Sequence, residues 1–277
     1  MHLSVATWNM NHWQGIKSSP THVRDCWDYV GRLGIDLALV QEAVPLPHDQ
    51  GVFLWRAVGG TRAWGTGIFS ASDELRLEEI DSSALQADRH YQALSEGGLL
   101  EESHPGCVRA ADVYLNDGRY VVTVVSIYGI HGDPSLNAVR YVPTTVHRML
   151  SDLTPLLDRS WRRIVLGGDL NISPQIAYPD TRHHEVLLDR IKAFGLTDLL
   201  GHFNDDFVQT HRHPRSTKPW QDDWLFASKK LMPGLLSCTA VQTADAWRLS
   251  DHCPVVAKFE IPDDLLRVRS ERVPLSP

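Results

Sequence analysis

The hydrophobic positions of the chain change from strand spacing to helix spacing and back near the N-terminus. Residues 3–9, LSVATWN, form a short apolar run rich in β-formers. In residues 18–34 the apolar positions from Val23 to Leu33 recur at helical spacing, and Ser19, Pro20 and Gly34 suit the two ends of a helix. Residues 36–42, DLALVQE, are typical of a buried strand. This order predicts a sheet with at least one face covered by helices.

Short strands dominate the rest of the pattern. They are predicted at residues 52–58, 65–70, 75–80, 108–115, 119–129, 162–171, 207–211, 222–228, 238–244 and 253–260. Residues 136–157 look mostly helical, with breaks at Pro143 and Pro155, and residues 181–195 form a further helix that ends at Gly195. Residues 81–106 are polar and predict a loop or insertion. We therefore expect an α/β protein with two sheets, one domain over residues 1–262 and a loose tail over residues 263–277.

Composition narrows the class of protein. With 27 Lys+Arg against 34 Asp+Glu, the formal charge of −7 argues against broad, non-specific coating of nucleic acid. The 4 cysteines are far apart in the chain, and the patterns His-Glu-x-x-His and Cys-x-x-Cys are missing, so neither a disulfide framework nor a zinc site is expected. Because the sequence shows no signal peptide and no long apolar stretch, we expect a cytoplasmic protein without a membrane span.

Acids and amides gather at the predicted strand ends. Strands of one sheet bring their ends together, and unpaired charges at the rim of a core are costly unless something balances them. A hard cation such as Mg²⁺ or Mn²⁺ balances carboxylates well. The residues concerned are Asn9, Asn11, Glu42, Asp169, Asn171, Asp222, Asp223, Asp251 and His252.

The order of these motifs resembles that of the endonuclease/exonuclease/phosphatase family. The motifs are Trp8-Asn9, Gln41-Glu42, Gly168-Asp169-Leu170-Asn171, Asp223-Trp224-Leu225-Phe226 and Ser250-Asp251-His252, and they span residues 8–252. Each is short, but together they stand in the family's order. The resemblance implies a four-layer α/β sandwich, with two packed mixed β-sheets flanked by helices.

The resemblance also implies roles for individual residues. Glu42, Asn9 and Asp251 would hold the metal. His252 would act as general base or as a cation that stabilises phosphate, with Asp223 holding its second ring nitrogen. Asp169 and Asn171 would position the attacking water or the leaving oxygen, and the choice between Asp169 and His252 as base stays open. Tyr128 would hydrogen-bond a phosphoryl oxygen.

Three departures from the family pattern matter. Asn11 stands where an aspartate is often found, which weakens that metal contact. Tyr128 is followed by Gly129-Ile130-His131 and lacks the Pro-Asn pair typical of the DNA-repair branch. In the segment QDDWLF, register favours Asp223, and Asp222 stays an alternative.

A basic and aromatic segment precedes Asp223. In residues 210–224, THRHPRSTKPWQDDW, such groups suit a phosphate backbone and a stacking base. The expected substrate contacts are Trp220, Arg215, Lys218 and His211, with His131 and Arg140 as further candidates.

These residues together predict a Mg²⁺- or Mn²⁺-dependent phosphoesterase that hydrolyses a phosphodiester with an activated water, on DNA, RNA or a nucleotide adduct. One alternative is a phosphatase or phosphodiesterase acting on a small or lipid phosphate, such as an inositol phosphate or sphingomyelin. The other is a binding protein with the same fold and no catalytic activity.

Overall fold

The computed structural model describes residues 1–12, 19–46, 53–59, 62–80, 104, 106–130, 138–158, 161–175, 181–214 and 216–268, and for residues 138–141 and 143 it describes the backbone alone. The strands in these residues are β1 (His2–Asn9), β2 (Leu37–Ala43), β3 (Phe53–Gly59), β4 (Arg62–Ser70), β5 (Leu75–Glu79), β6 (Val108–Leu115), β7 (Arg119–Ile127), β8 (Ile164–Asp169), β9 (Leu196–Asp198), β10 (Asp223–Ser228), β11 (Leu235–Ala240), β12 (Val255–Glu260) and β13 (Arg267–Val268). The helices are α1 (Pro20–Arg32), α2 (Ala138–Asp152), α3 (Thr154–Leu157), α4 (Arg182–Ala193), α5 (Leu199–Phe203) and α6 (Ala244–Leu249).

The strands form two mixed sheets. The first has the order β11-β12-β1-β2-β4-β3, and the second has the order β5-β6-β7-β8-β10-β9, with β13 paired to β7. In the first sheet β1 runs parallel to β2, and in the second β7 runs parallel to β8, whereas the other pairs are antiparallel.

Three apolar layers hold the sheets and helices together. Val5, Leu39, Val124, Val165 and Leu225 are among the buried side chains between the two sheets. On the outer face of the first sheet, buried residues of β1 and β2 pack against α1 and α6. On the outer face of the second sheet, buried residues of β7, β8 and β10 pack against α2, α3 and α4. The expected four-layer α/β sandwich is confirmed.

Helix α1 shows how local sequence produces one of these layers. The Ser19 side chain accepts a hydrogen bond from the His22 N–H, and Pro20 occupies the first turn, where its missing N–H costs nothing. Cys26 and Trp27 are buried on the face that packs on the first sheet. The spacing of the apolar residues therefore predicted both the helix and its buried face.

Some predicted elements were wrong. Residues 207–211 do not form a strand, and two isolated antiparallel bridges join His211 to Trp220 and to His252. Pro143 does not break α2, whereas Pro155 lies in the first turn of α3. The strand predicted at residues 238–244 begins and ends earlier, since Thr243 accepts a bond from the Ala246 N–H and starts α6.

The C-terminal region stays on the second sheet beyond the predicted domain end at residue 262. Arg267 and Val268 pair with Tyr120 and Arg119 of β7. Residues 269–277, the remainder of the predicted tail, and most of the predicted loop at residues 81–106 lie outside the described residues.

Candidate active site

The register of the two sheets brings the polar strand ends together. In the first sheet Asn9 pairs with Gln41, directly before Glu42. In the second sheet the last residue of β8, Asp169, pairs with the first residue of β10, Asp223. Because β7 runs parallel to β8, the segment after β7 emerges at the same edge.

Hydrogen bonds between the two sheets connect these ends. The Asn9 Nδ2 atom donates to Asp169 Oδ2 at 2.8 Å. The Tyr128 hydroxyl donates to Glu42 Oε1 at 2.7 Å. Below them, Gln41 Nε2 donates to the Ser126 hydroxyl at 2.9 Å. The apolar layer between the sheets is therefore replaced by a polar network at this edge.

Three polar residues of the site have left-handed backbone conformations. Asn11, Glu42 and Asn171 have φ values of 54°, 47° and 51°. Asparagine adopts this region more readily than most residues, but glutamate rarely does, so the conformation of Glu42 carries strain. Such strained conformations persist where the surrounding structure fixes the residue, and they are common at active sites.

Gly168 allows the close approach of β7 and β8 beside Asp169. A Cβ atom at Gly168 would lie 1.7 Å from the Ile127 carbonyl oxygen. Any side chain there would push the two strands apart and displace the neighbouring carboxylate. The Gly-Gly-Asp motif thus has a steric reason.

Glu42 is a buried acid with one unbonded oxygen. Its Oε1 atom accepts the Tyr128 hydroxyl, whereas Oε2 has no hydrogen-bond partner among the described residues. Burial raises the pKa of Glu42 to about 7, against opposing contributions from Tyr128, His252 and Asn9. A positive charge at Oε2 would offset the cost of burying this carboxylate.

Asp169 is held by two asparagines. Besides the bond from Asn9, its Oδ1 atom accepts the Asn171 backbone N–H at 2.8 Å. The Asn171 side-chain amide donates to Asp169 Oδ2 at 3.1 Å and to the Gly129 carbonyl at 2.8 Å. Burial, with Asp223 and Asp222 nearby, raises the pKa of Asp169 well above its usual value. Asp169 therefore binds a proton more tightly than an exposed aspartate does.

His252 is paired with Asp223, which is the contact that the family resemblance implies. Its Nδ1 atom lies 2.7 Å from Asp223 Oδ2, and its Nε2 atom lies 4.0 Å from Asp169 Oδ2. Burial acts to lower the pKa of His252, but Asp223, Asp169 and Asp251 outweigh it and raise the pKa well above the usual value. These three carboxylates therefore favour the protonated form of the imidazole.

Asp222 has a histidine of its own. Its Oδ2 atom lies 2.7 Å from His211 Nδ1, and its other oxygen accepts the Ser173 hydroxyl. Burial acts to raise the pKa of Asp222, but the bonds from His211 and Ser173 hold it below the usual value. The alternatives Asp222 and Asp223 are thus both site residues, because each binds a different imidazole.

The two imidazoles stack on each other. The ring centroids of His211 and His252 are 4.2 Å apart, with an interplanar angle of 7°. The Thr210 hydroxyl accepts the backbone N–H groups of Asp222 and Asp223 at 3.1 and 3.0 Å. One threonine therefore helps to orient both carboxylates.

Asp251 lies at the more open side of the cluster. Its Oδ1 atom accepts a hydrogen bond from Asn11 Nδ2, and its Oδ2 atom lies 4.0 Å from His211 Nε2. The side chain is 31% exposed, compared with 7% for His252. Asn11, which departs from the family pattern, thus positions an acid.

The predicted substrate contacts are only partly described. Trp220 is half-buried and stacks on His213 with ring centroids 5.0 Å apart, and Lys218 is exposed. His211 lies in the acidic cluster. Arg215 and His131 lie outside the described residues, and Arg140 is described by its backbone in α2 alone.

The donors at this edge fit a divalent cation. Buried oxygens of Glu42, Asn11 and Asp223 have no hydrogen-bond partner among the described residues. Two groups of side chains also place their ligand atoms within 4.8 Å of one another, Asp169–Asp223–His252 and His211–Asp251–His252. Unbonded oxygens beside an excess of carboxylates are the environment that Mg²⁺ or Mn²⁺ neutralises.

Solved structures of nucleic-acid enzymes resemble the chain over most of its length. An AP endonuclease from Leishmania major superimposes with a TM-score of 0.69 at 16% identity, covering 94% of this chain and 88% of that one. An AP endonuclease from Archaeoglobus fulgidus has a TM-score of 0.66 at 17% identity, covering 94% and 100%. The 3′ phosphatase NExo from Neisseria, bound to product DNA hairpin, has a TM-score of 0.62 at 18% identity, covering 94% and 100%.

The chain has the endonuclease/exonuclease/phosphatase fold. The resemblance drawn from the motif order is confirmed at the level of the fold. No family model and no curated protein sequence matches the chain. Within the described residues, no helix is long and apolar enough to cross a membrane.

Sequence reasoning assigned no role to the polar residues that support this site, although two of them, Gln41 and Ser250, belong to its motifs. Gln41, Ser126, Ser173, Thr210 and Ser250 are buried, and each bonds to a site residue or to its neighbour. Serine and threonine hydroxyls give no periodic signal, so only their position beside the strand ends could have indicated them. The pairing of His211 with Asp222 depends on a loop closing between them, which no local pattern predicts.

Proposed function

We propose that the chain is a divalent-metal-dependent phosphodiesterase of the nuclease type. The observation that supports this most is the buried His252–Asp223 pair facing Asp169, at the strand ends that also hold Glu42. Acid, imidazole and unbonded carboxylate oxygen together supply what the hydrolysis of a phosphodiester needs.

Each side chain has a role that follows from its environment. Asp169, with its raised pKa, takes the proton from the attacking water, and Asn9 and Asn171 hold its two oxygens in place. His252 keeps its proton through Asp223 and donates it to a phosphoryl or leaving oxygen. We therefore propose Asp169 as the base, a choice between Asp169 and His252 that the sequence left open.

Glu42, Asn9 and Asp251 are the residues that would hold Mg²⁺ or Mn²⁺. The bound cation would neutralise charge on the phosphoryl group. Tyr128 donates to Glu42 and so orients this carboxylate, which is a different role from the phosphoryl contact that the resemblance implies. We propose that Tyr128 is a positioning residue in the absence of substrate.

The substrate is proposed to be a nucleic acid. The basic segment with half-buried Trp220 leads directly into β10, which begins with Asp223. Solved structures with this fold include AP endonucleases and a 3′ phosphatase bound to DNA. The net charge of −7 favours the alternative of a small or lipid phosphate, so the test includes both classes.

The test is hydrolysis of a substrate panel with Mg²⁺, with Mn²⁺ and with a chelator. The panel contains single- and double-stranded DNA, RNA, a duplex with an abasic site, an inositol polyphosphate and sphingomyelin. Each is also tested with His252→Ala and with His202→Ala, which changes an exposed histidine of α5.

Metal-dependent cleavage of a nucleic acid, lost in His252→Ala and kept in His202→Ala, is the expected result. Turnover of the inositol phosphate or sphingomyelin alone would support the small-phosphate alternative. If folded protein turned over nothing with either cation, the proposal would give way to a binding protein of the same fold.

A further inference from the structure

Two arginines lie on tryptophan rings at the rim of the site. The guanidinium carbon of Arg212 lies 4.1 Å from the centre of the Trp247 ring, and that of Arg62 lies 5.3 Å from the centre of the Trp64 ring. Both arginines are exposed, and among the described residues neither side chain is paired with a carboxylate. Neither arginine is among the substrate contacts expected from the sequence, so both are still without a role.

Arg212 is fixed at the His252 side of the site by its backbone and by its ring contact. Its N–H donates to the Asp251 carbonyl at 2.7 Å. The preceding residue, His211, forms an isolated antiparallel bridge with His252. Trp247 lies on α6, which leads to Asp251, and its ring holds the guanidinium through a cation–π contact.

Arg62 is connected to the other side of the site through two aromatic rings. Trp64 is buried, and its ring meets that of Tyr128 edge to face, with centroids 5.5 Å apart. The Tyr128 hydroxyl in turn donates to Glu42. Because β4 runs antiparallel to β2, its first residues lie beside the last residues of β2. Arg62 therefore lies at the Glu42 side of the site.

The sheet order places the two arginines on opposite sides of the proposed metal ligands. Four neighbouring strands of the first sheet have the order β12-β1-β2-β4, so Asn9 of β1 and Glu42 of β2 lie between the ends of β12 and β4. Three inter-strand spacings of about 4.8 Å separate β12 from β4, which is roughly 14 Å. Successive phosphates of one strand advance about 3.4 Å along a double helix, so this separation corresponds to about four phosphates.

We propose that Arg62 and Arg212 form a phosphate clamp, which binds a polynucleotide strand on both sides of the scissile phosphate. This inference rests on the proposed nucleic-acid substrate and adds the length of strand that the site holds. A guanidinium that lies with its face on an aromatic ring keeps its in-plane N–H groups available for two oxygens of a phosphate. The ring also restricts a long side chain, so less entropy is lost when the phosphate binds.

The charges of the site explain why such contacts are needed. A bound cation would neutralise charge at the scissile phosphate, but the neighbouring phosphates of the same strand would still meet an acidic surface. The chain has a formal charge of −7, and five of its acids gather at these strand ends. Two arginines without carboxylate partners supply the opposite charge where the flanking phosphates would lie.

The test is oligonucleotide binding in Mg²⁺, measured by fluorescence anisotropy with the His252→Ala protein so that the probe is not cut. The probes are a single-stranded DNA of about 12 nucleotides, which is longer than the phosphate clamp, and a dinucleotide. Arg62→Ala and Arg212→Ala are introduced separately. Arg32→Ala is the matched control, because Arg32 is exposed and lies 5.6 Å from the centre of the Tyr29 ring, in the last turn of α1 and away from Glu42.

Arg62→Ala and Arg212→Ala should each weaken binding of the long probe about tenfold at roughly 0.1 M salt. Each should also reduce the slope of log affinity against log salt concentration by about 1, as the loss of one phosphate contact does. Arg32→Ala should change neither quantity. All variants should bind the dinucleotide alike, because its single phosphate does not reach the flanking positions.

Circular dichroism checks that each variant is folded, and Arg→Gln replaces an alanine variant that is not. Unchanged affinity for the long probe in the folded variants, or an equal loss of affinity for the dinucleotide, would overturn the phosphate clamp. So would a long probe that does not bind to the His252→Ala protein.

The phosphate clamp and the proposed hydrolysis fail separately. Probe binding that depends on both arginines, in a protein that hydrolyses no member of the substrate panel, would keep the clamp and remove the proposed activity. Metal-dependent cleavage of nucleic acid with the same KM in wild type, Arg62→Ala and Arg212→Ala would keep the activity and remove the clamp.

Discussion

The site has an oxygen end and a nitrogen end, and they differ in how each buried charge is balanced. At the oxygen end, Glu42 has one hydrogen bond, one unbonded oxygen and a pKa raised by burial to about 7. At the nitrogen end, Asp222 and Asp223 are each bonded to an imidazole. Each acid at the nitrogen end thus has an imidazole partner, whereas Glu42 has only a hydroxyl, so a bound cation would offset the most at the oxygen end.

The largest effect should come from breaking the oxygen end. Glu42→Gln keeps the size of the side chain and an oxygen for Tyr128, but it removes the charge that attracts the cation. A catalytic metal contributes several kcal/mol, so turnover should fall roughly 10³-fold. Steady-state kinetics at saturating Mg²⁺ measure this, and activity within about tenfold of wild type would exclude Glu42 as the main ligand.

A change at the nitrogen end should alter the pH dependence as well as the rate. Asp223→Asn removes the carboxylate that raises the pKa of His252 and should lower turnover roughly 100-fold. Because the proton on His252 is then held less tightly, the alkaline limb of the pH–rate profile should move to lower pH. A slower enzyme with an unmoved alkaline limb would show that Asp223 does not act through His252.

In the absence of metal, the Glu42 substitution should raise the free energy of unfolding even though it lowers turnover. The folded-state pKa of Glu42 is about 7, above its ordinary 4.5. The contribution of the protonated side chain to the free energy of unfolding is therefore full below pH 4.5 and is lost as the pH rises to 7. At pH 8 with a chelator, Glu42→Gln should therefore be more stable than wild type, by on the order of 3 kcal/mol. Urea unfolding measures this difference, which should vanish near pH 4. A variant less stable than wild type at pH 8 would contradict the cost assigned to this buried charge.

The smallest effect concerns substrate recognition outside both ends. Trp220→Ala should raise KM for a nucleic acid about tenfold, because stacking on a base contributes roughly 1–3 kcal/mol. KM for a small phosphodiester without a base should not change. Trp161→Ala is the control, since Trp161 is exposed and precedes β8, at the end of the strand away from Asp169. An equal rise in KM for both substrates would indicate that Trp220 has a structural role and does not stack on a base.

The oxygen end could be predicted from sequence better than the nitrogen end. Asn9 and Glu42 lie at the ends of apolar strands, so their convergence follows from the parallel pairing of β1 and β2. The stack of His211 on His252 accompanies an isolated antiparallel bridge between these two residues, which lie far apart in the chain. The pattern of apolar residues predicted a strand at residues 207–211, but it could not predict this partner. Within this segment Thr210 and His211 bond to Asp222, a contact that the local spacing of apolar residues does not predict.

The same limit applies to side-chain roles. The resemblance gave Tyr128 a place at a strand end, but its bond to Glu42 becomes visible only when β2 and the segment after β7 face each other across the two sheets. Likewise Asn11 reads as a weakened metal contact until its amide is seen to hold Asp251. Sequence order indicates which residues gather, and the packing of the sheets decides which atom meets which.

The most direct test of the account is Mn²⁺ binding at pH 8, measured by electron paramagnetic resonance of the free ion, for wild type, Glu42→Gln and His211→Phe. We predict that wild type and His211→Phe bind Mn²⁺ alike and that Glu42→Gln binds it far more weakly. Equal binding by wild type and Glu42→Gln would contradict the claim that the oxygen end holds the catalytic cation.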